Sequence, residues 1–160
     1  VQGPPPEAFD ITELTAAVVE DARFEASAQG RQVAYTAEGP AIVNGQAELL
    51  HRAVENIVRN ALRHTPEHST IEVEVVREAQ RVRITVRDAG PGVPAARVGE
   101  IFEPFVRMPG ARSDGHGLGL AIARRVVESA GGSISARNRA EGGLAVEIVL
   151  PLAGDDTPLA

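Results

Sequence analysis

The 160-residue sequence contains no cysteine, no tryptophan, one tyrosine and one methionine. Without cysteine the chain cannot form a disulfide, a thiolate metal site or a cysteine nucleophile, which is compatible with a reducing compartment. Because only four phenylalanines accompany the single tyrosine, the core must be built mainly from aliphatic side chains. Hydrophobic residues make up 43% and charged residues 24% of the chain, which is the composition of one ordinary globular domain.

Positive charge is also scarce, since 16 Lys and Arg residues face 22 Asp and Glu residues, for a formal net charge of -6. Nucleic-acid binding is driven largely by neutralisation of phosphates, so we expect no nucleic-acid partner. No run is long and apolar enough for a membrane span, and no signal-peptide pattern is present. The start at Val1 and the prolines at positions 4–6 suggest a piece cut from a longer protein, with residues 1–7 as a linker remnant.

The most regular stretch runs from Leu49 to His64 and has the periodicity of an amphipathic helix. Asn56 and Asn60 lie one turn apart along the border between its apolar and charged faces, and His64 continues that border. Asparagine is a mediocre helix former, so two in register beside a buried face indicate hydrogen bonding or coordination. Two half-exposed helix residues without a role are the simpler alternative.

The rest of the chain predicts helices and strands around this helix. Helices are expected at about 10–28 and 118–129, and strands at 33–37, 41–43, 71–75, 82–86, 133–137 and 144–150. Glu72 and Glu74 of the strand at 71–75 are placed to pair with the arginines of the next strand, Arg83 and Arg87. Interleaved helices and hairpins predict an α+β two-layer sandwich, with helices on one face of a mixed sheet. We expect a disordered tail at 153–160.

A turn rich in glycine, Asp88-Ala89-Gly90-Pro91-Gly92, follows the strand at 82–86. Gly90 and Gly92 allow the backbone to approach a flat ligand closely, and the Asp88 carboxylate can accept a hydrogen bond from an exocyclic amine such as that of adenine. Taken alone, the stretch is equally typical of an Asx-type turn between two elements.

A second glycine-rich stretch, Gly115-His116-Gly117-Leu118-Gly119-Leu120, lies where a loop becomes a helix. Backbone N–H groups at a helix N-terminus are suited to phosphate, although the same pattern serves as a hinge. No Lys-Ser or Lys-Thr pair follows, so it is not a Walker-type loop, and its spacing differs from the dinucleotide-binding fingerprint.

In chain order, the asparagine helix, the Asp88-x-Gly90-x-Gly92 turn, the Phe102-x-Pro104-Phe105 segment and the helix start at Gly115 resemble the N, G1, F and G2 boxes of sensor histidine kinases. The resemblance covers roughly residues 9–152. It implies a catalytic ATP-binding domain at 8–152 with an ATP lid at about 106–116. The implied fold is the Bergerat type, with about five mostly antiparallel strands in a mixed sheet and three main helices on one face.

The resemblance also implies a role for each matching residue. Asn60 matches the asparagine that ligates Mg²⁺, and Asn56 and Arg63 match residues near the phosphates, so these three form the implied catalytic set. Arg63 is equally well explained as a solvated charge. Asp88 matches the adenine-binding aspartate, and Leu144 replaces a threonine that many relatives have near the base. The implied nucleotide-binding set is completed by His64, Gly90, Gly92, Phe105, Arg107, Gly115, Gly117, Leu118, Gly119 and Leu120.

None of the four histidines is followed by Glu or Asp, as the phosphoacceptor motif of the family requires. The resemblance therefore implies that ATP's γ-phosphoryl group passes to a histidine in a separate dimerisation domain and then to a response regulator, with ATP and Mg²⁺ as cofactors. It implies a monomeric fragment with little turnover alone. The implied parent protein is a homodimer anchored in a bacterial inner membrane, with this domain in the cytoplasm.

Two alternatives stay open at this point. One is a stand-alone serine kinase of the anti-sigma type, and the other is a non-catalytic protein-binding module of the same fold. A zinc site at His64 and His68 is disfavoured because Pro66 interrupts the helix between them.

Overall fold

The computed structural model describes residues 5–104 and 119–154. In this part of the chain the helices are α1 (Ile11–Ala28), α2 (Ala47–His64) and α3 (Gly119–Ser129). The strands are β1 (Glu7–Asp10), β2 (Gln32–Ala37), β3 (Ile42–Gly45), β4 (Thr70–Arg77), β5 (Arg81–Arg87), β6 (Ser133–Asn138) and β7 (Leu144–Pro151). A short 3₁₀ helix, Ala95–Glu100, follows β5. None of the helices described is both long enough and apolar enough to cross a membrane.

The main sheet has five strands in the order β2-β4-β5-β7-β6. β2 runs parallel to β4, and the other neighbours are antiparallel. Val86 of the central strand β5 pairs with Val73 on one side and Val146 on the other, and all three are buried. Because side chains alternate along a strand, this register turns one face of the sheet to the helices. The predicted α+β sandwich with a mixed, mostly antiparallel five-stranded sheet is confirmed.

The helices cover that face through the apolar positions that the periodicity predicts. On α2 the buried residues are Leu50, Ala53, Val54, Ile57, Val58, Ala61 and Leu62. The start of α1 is fixed by Asp10, whose Oδ1 accepts hydrogen bonds from the backbone of Thr12 at 2.9 Å and of Ala41 at 3.0 Å. As the composition requires, the largest fully buried side chains are aliphatic: Ile11, Leu50, Ile57, Ile71, Ile84, Ile148 and Leu150.

The second sheet, formed by β1 and β3, differs from the sequence-based expectation. No strand was predicted at 7–10, yet β3 pairs with β1 there, while β2 pairs with β4 of the main sheet. β1 begins at Glu7, inside the segment expected to be a linker. Four-residue strands carry little periodicity, and burial of Ala8 and Val43 settles their pairing in the tertiary structure.

The C-terminal end of the described chain is held against this small sheet. Leu152 forms an isolated bridge with Val43, and the backbone N–H of Ala153 donates to Ile42 O at 2.7 Å. Ala153 is therefore bonded, although the sequence placed it at the start of a disordered tail. Residues 155–160 of that expected tail lie outside the described residues.

The other face of the main sheet carries charged side chains in cross-strand pairs. Arg87 and Glu74 form the expected pair between β5 and β4, with Nη2 and Oε1 2.9 Å apart. Arg83 pairs with Glu78 at 2.7 Å and with Glu147 at 3.4 Å. These side chains are partly exposed to solvent, which screens the pairs, so each adds only about 1 kcal/mol or less and the network does not drive folding.

Candidate functional site

The second half of α2 forms one wall of the candidate site. Asn56, Asn60 and His64 are half-buried, between the buried apolar face and the exposed arginines, and Arg63 is exposed. Asn56 Nδ2 donates to the carbonyl oxygen of Gly119 at 3.4 Å, which ties α2 to the start of α3. No partner for the Asn60 side chain is found among residues 5–104 and 119–154. Both carboxamides thus leave an oxygen available along one edge of the helix.

Asp88, at the end of the central strand, is a carboxylate held rigidly by the backbone. Only 3% of the residue is exposed. Its N–H donates to Leu144 O at 2.9 Å, and its Oδ1 accepts from Gly90 N and Leu144 N, both at 3.0 Å. In the described chain Oδ2 has no hydrogen-bond partner. Asp88 therefore forms the Asx-type turn and at the same time presents a fixed carboxylate with one oxygen unbonded in the described chain.

Gly90 brings the loop after β5 against the end of α2. A Cβ at this position would collide with the carbonyl oxygen of His64 and come within 3.2 Å of His64 Cβ, so no larger residue fits without moving backbone. Thr65, a buried residue that the sequence analysis missed, accepts a hydrogen bond from Ala89 N to its Oγ1 at 3.2 Å. Its position before Pro66 was a signal of a helix end, but nothing in the sequence linked it to Ala89.

The hairpin between β6 and β7 closes the other side of this loop. Both of its strands were predicted, but their contact with the Asp88 turn was missed. The backbone N–H of Leu144 donates to Asp88 Oδ1, and this hydrogen bond does not depend on the side chain at position 144. Leucine in place of the threonine that many relatives have there therefore leaves the contact intact. Gly92 has a φ of +77°, which favours glycine, and lies against Asn138 of β6.

The remaining predicted site residues divide into two groups. Gly119 and Leu120 begin α3. A Cβ at Gly119 would lie 3.8 Å from Asn56 Cβ and Cγ, so the start of α3 packs against Asn56. Phe105, Arg107, Gly115, Gly117, Leu118 and the expected lid at 106–116 lie outside the described residues. Within the described chain, no group of three or more His, Cys, Asp or Glu side chains is arranged to hold a metal ion.

His64 lies between the buried helix end and the Asp88 turn. Burial lowers the pKa of His64 below its ordinary value of 6.5. The Asp88 carboxylate acts in the opposite direction, and the adjacent Arg63 charge lowers the pKa as well. The imidazole is therefore held in its neutral form near neutral pH.

This shift predicts a pH-dependent contribution to stability. Below the unfolded-state pKa of 6.5, the unfolded chain binds a proton at His64 that the folded chain resists, so stability falls with pH from 6.5 down to the folded-state pKa. We expect the free energy of unfolding, measured with urea, to fall between about pH 7.5 and about pH 5.5. The fall should be larger for the native chain than for His64→Gln. Equal losses in the two proteins would contradict a lowered pKa.

The fold and this site define a class of ATP-binding domains. A family model described as "Histidine kinase-, DNA gyrase B-, and HSP90-like ATPase" matches residues 45–154, a range that contains α2, the Asp88 turn, α3 and the β6–β7 hairpin. The chain belongs to this family of ATPases.

Individual relatives narrow the assignment. Sensor histidine kinase CpxA of Escherichia coli strain K12 is 39% identical over 150 residues, which are 91% of this chain and 32% of CpxA. The mycobacterial sensor histidine kinase MprB has a TM-score of 0.84 at 33% identity, covering 91% of this chain and 98% of that chain. Full-length ShkA in complex with AMPPNP has a TM-score of 0.81 at 27% identity, covering 99% of this chain and 33% of that chain.

The chain is thus the catalytic ATP-binding domain of a sensor histidine kinase, as its motifs implied. This result favours the histidine kinase interpretation over a stand-alone serine kinase or a non-catalytic module. The chain spans about a third of the length of the curated relatives it matches.

Proposed function

We propose that this domain binds Mg²⁺ and ATP, and that it transfers the γ-phosphoryl group to a histidine of a dimerisation domain in the parent protein, for relay to a response regulator. The observation that carries the proposal is the Asp88 carboxylate, which is buried, held by two backbone N–H groups and left with one oxygen for a ligand. Membership of the ATPase family supports an adenine nucleotide as that ligand.

At the end of the site that faces the adenine base, Asp88 Oδ2 accepts a hydrogen bond from the exocyclic amine of adenine in this proposal. A charge-assisted hydrogen bond in a buried site discriminates well against a base that presents no donor there. Gly90 and Gly92 let the loop pack directly on His64 and Asn138, where a Cβ would collide, and so fix the backbone path beside the base in this proposal. The family more often has asparagine where this chain has Ala89. That side chain is not the usual adenine contact, so we expect ATP binding to be retained.

At the phosphate end, Asn60 is the proposed Mg²⁺ ligand, with Asn56 and Arg63 close to the phosphates. The donor set fits, because Mg²⁺ prefers oxygen ligands, keeps several waters and takes few protein ligands when it bridges phosphates. When bound, the cation supplies neutralisation of the charge that spreads over the transferring phosphoryl group. The proposal extends by resemblance to His64, Phe105, Arg107 and the glycine-rich start of α3: Gly115, Gly117, Leu118, Gly119 and Leu120.

The attacking nucleophile is proposed to come from outside these 160 residues, since no histidine of the chain has the phosphoacceptor pattern. The isolated domain, proposed to span 8–152 and to be monomeric, should then hydrolyse ATP only slowly. The parent protein is proposed to be a homodimer anchored in a bacterial inner membrane, with this domain on the cytoplasmic side. Labelled ATP mixed with this domain and the separately prepared dimerisation domain should yield a phosphohistidine, whereas fast hydrolysis without that domain would contradict the proposal.

The Asn60→Ala variant tests the phosphate end. Calorimetric titration with a non-hydrolysable ATP analogue should show tighter binding with Mg²⁺ than with EDTA for the native chain. The variant should lose that difference, about 10–100-fold, since a direct ligand matters at least as much as its outer-shell partners. Its affinity in EDTA should match that of the native chain, because the base end is untouched.

Asn44→Ala is the matched control, because Asn44 is an exposed asparagine on β3. It should keep the full Mg²⁺ enhancement. If Asn60→Ala binds the ATP analogue as much more tightly with Mg²⁺ as the native chain does, Asn60 is not a ligand of the cation.

A further inference from the structure

Two side chains of the hairpin that joins β6 to β7 hold the two ends of the loop from Asp88 to Val93. These are Asn138, the last residue of β6, and Arg139, the first residue of the turn. Both contact the loop that ends the central strand, although they lie 45 to 51 residues away in the chain.

Asn138 holds the far end of the loop by pairing with both backbone groups of a single residue, Val93. Its Oδ1 accepts from Val93 N at 2.9 Å, and its Nδ2 donates to Val93 O at 2.6 Å. The carboxamide thus binds Val93 as a neighbouring strand would bind it, and satisfies both backbone groups. The same Oδ1 lies 2.7 Å from where a Cβ on Gly92 would be, so it also sets the path of the loop at its left-handed residue.

Arg139 holds the near end of the loop by its main chain. Its Nη1 donates to Asp88 O at 2.7 Å, while Nη2 lies 3.1 Å from Glu141 Oε2 and 3.5 Å from Glu72 Oε2. Only 15% of the Arg139 side chain is exposed. The guanidinium is planar, and its Nη1 and Nη2 bind different partners. Because Nη1 binds the carbonyl and Nη2 the two carboxylates, the orientation of the guanidinium is fixed.

The hairpin turn is itself closed, so these contacts transmit a fixed geometry. Arg139 N donates to Gly143 O at 2.8 Å, and Gly142 N donates to Arg139 O at 3.1 Å. The turn leads directly to Leu144, whose N–H binds Asp88 Oδ1. One rigid hairpin therefore contacts the carboxylate, the main chain of the same residue and the loop five residues later.

We propose that Asn138 and Arg139 are positioning residues for base recognition. They hold the loop at 88–93 so that the free oxygen of Asp88 and the backbone of Gly90 and Gly92 meet the adenine ring together. The inference rests on the proposed function, which places the base at Asp88. Neither residue touches the nucleotide itself, and both act independently of Mg²⁺ and the γ-phosphate.

The test measures two ligands on the same proteins: ADP without Mg²⁺ and a non-hydrolysable ATP analogue with Mg²⁺. Asn138→Ala and Arg139→Ala should each lower the affinity for both ligands by the same factor, about tenfold or more. The reason is that a displacement of about 1 Å is costly for a contact that depends on orientation. Arg139→Lys should recover part of the loss, since an ammonium can still donate to Asp88 O. Arg137→Ala, on the same strand but paired with Glu147 on the open face, is the matched control and should leave both affinities unchanged.

Asn138→Asp keeps the shape of the side chain and the acceptor for Val93 N, but its ionised carboxylate cannot donate to Val93 O. It should weaken both ligands with the binding stoichiometry and melting temperature close to native, which separates a misplaced loop from a misfolded fraction. Combination with Asp88→Asn should give less than the product of the two single effects, because the loop acts through Asp88.

The outcomes separate the two proposals. A native chain that binds neither ligand would overturn the proposed function and this inference with it. A native chain that binds both, with unchanged affinities in the Asn138 and Arg139 variants, would overturn this inference alone. Loss confined to the Mg²⁺ complex, or full multiplicativity with Asp88→Asn, would also overturn it.

Discussion

The Asp88→Asn variant is expected to bind a non-hydrolysable ATP analogue about 100-fold more weakly than the native chain while remaining folded. The amide oxygen can still accept from Gly90 N and Leu144 N, which keeps the turn closed. The amide nitrogen then takes the position of the free oxygen and presents a donor to the donor amine of adenine. Loss of a charge-assisted hydrogen bond costs about 1.5–3 kcal/mol, and an unmet buried donor adds to it.

Asp10→Asn is the matched control for this substitution. Like Asp88, Asp10 accepts two backbone N–H groups through one carboxylate oxygen, from Thr12 and Ala41. It caps α1 away from the candidate site, and asparagine caps helices about as well as aspartate. Calorimetry should give native affinity for this control, and thermal unfolding should show both variants folded. Binding of the Asp88→Asn protein within a few-fold of native would mean that Asp88 does not recognise the base.

Gly143→Ala is expected to destabilise the domain more than Gly142→Ala does and to lose nucleotide binding. The two glycines have φ values of +95° and +101°, so alanine pays a similar conformational cost of about 1–2 kcal/mol at either position. A Cβ at Gly142 meets nothing within 4 Å, whereas one at Gly143 collides with the carbonyl oxygen of Asp88. Because the obstacle is backbone, the collision adds about 1–3 kcal/mol and pushes Asp88 away from Leu144 N.

Urea unfolding gives the stability difference between the two alanine variants, and calorimetric titration gives the difference in affinity. Gly142→Ala should retain binding at a temperature where it is fully folded. Indistinguishable free energies of unfolding would contradict the close packing of Gly143 on Asp88, and native affinity in Gly143→Ala would contradict its role as a support for the site.

Local patterns in the sequence were sufficient for much of the fold. The period of 3.6 predicted α2 and its buried face, and the alternation of apolar residues predicted β4 and β5. Each of these signals lies within one element, where side-chain spacing follows directly from backbone geometry. The order of the glycine and asparagine motifs indicated the family, which the comparisons bear out. The roles of the individual site residues stay predictions.

What the sequence by itself determined is therefore the set of elements and the family to which they belong. The tertiary structure alone decided the parallel pairing of β2 with β4, the β1–β3 sheet and the hairpin contacts around Asp88. Leu144 and Asp88 are 56 residues apart, and their contact exists only because β5 and β7 are neighbours in the sheet. A backbone hydrogen bond carries no side-chain signature, so no pattern of residue types could reveal that the β6–β7 hairpin holds the carboxylate in place.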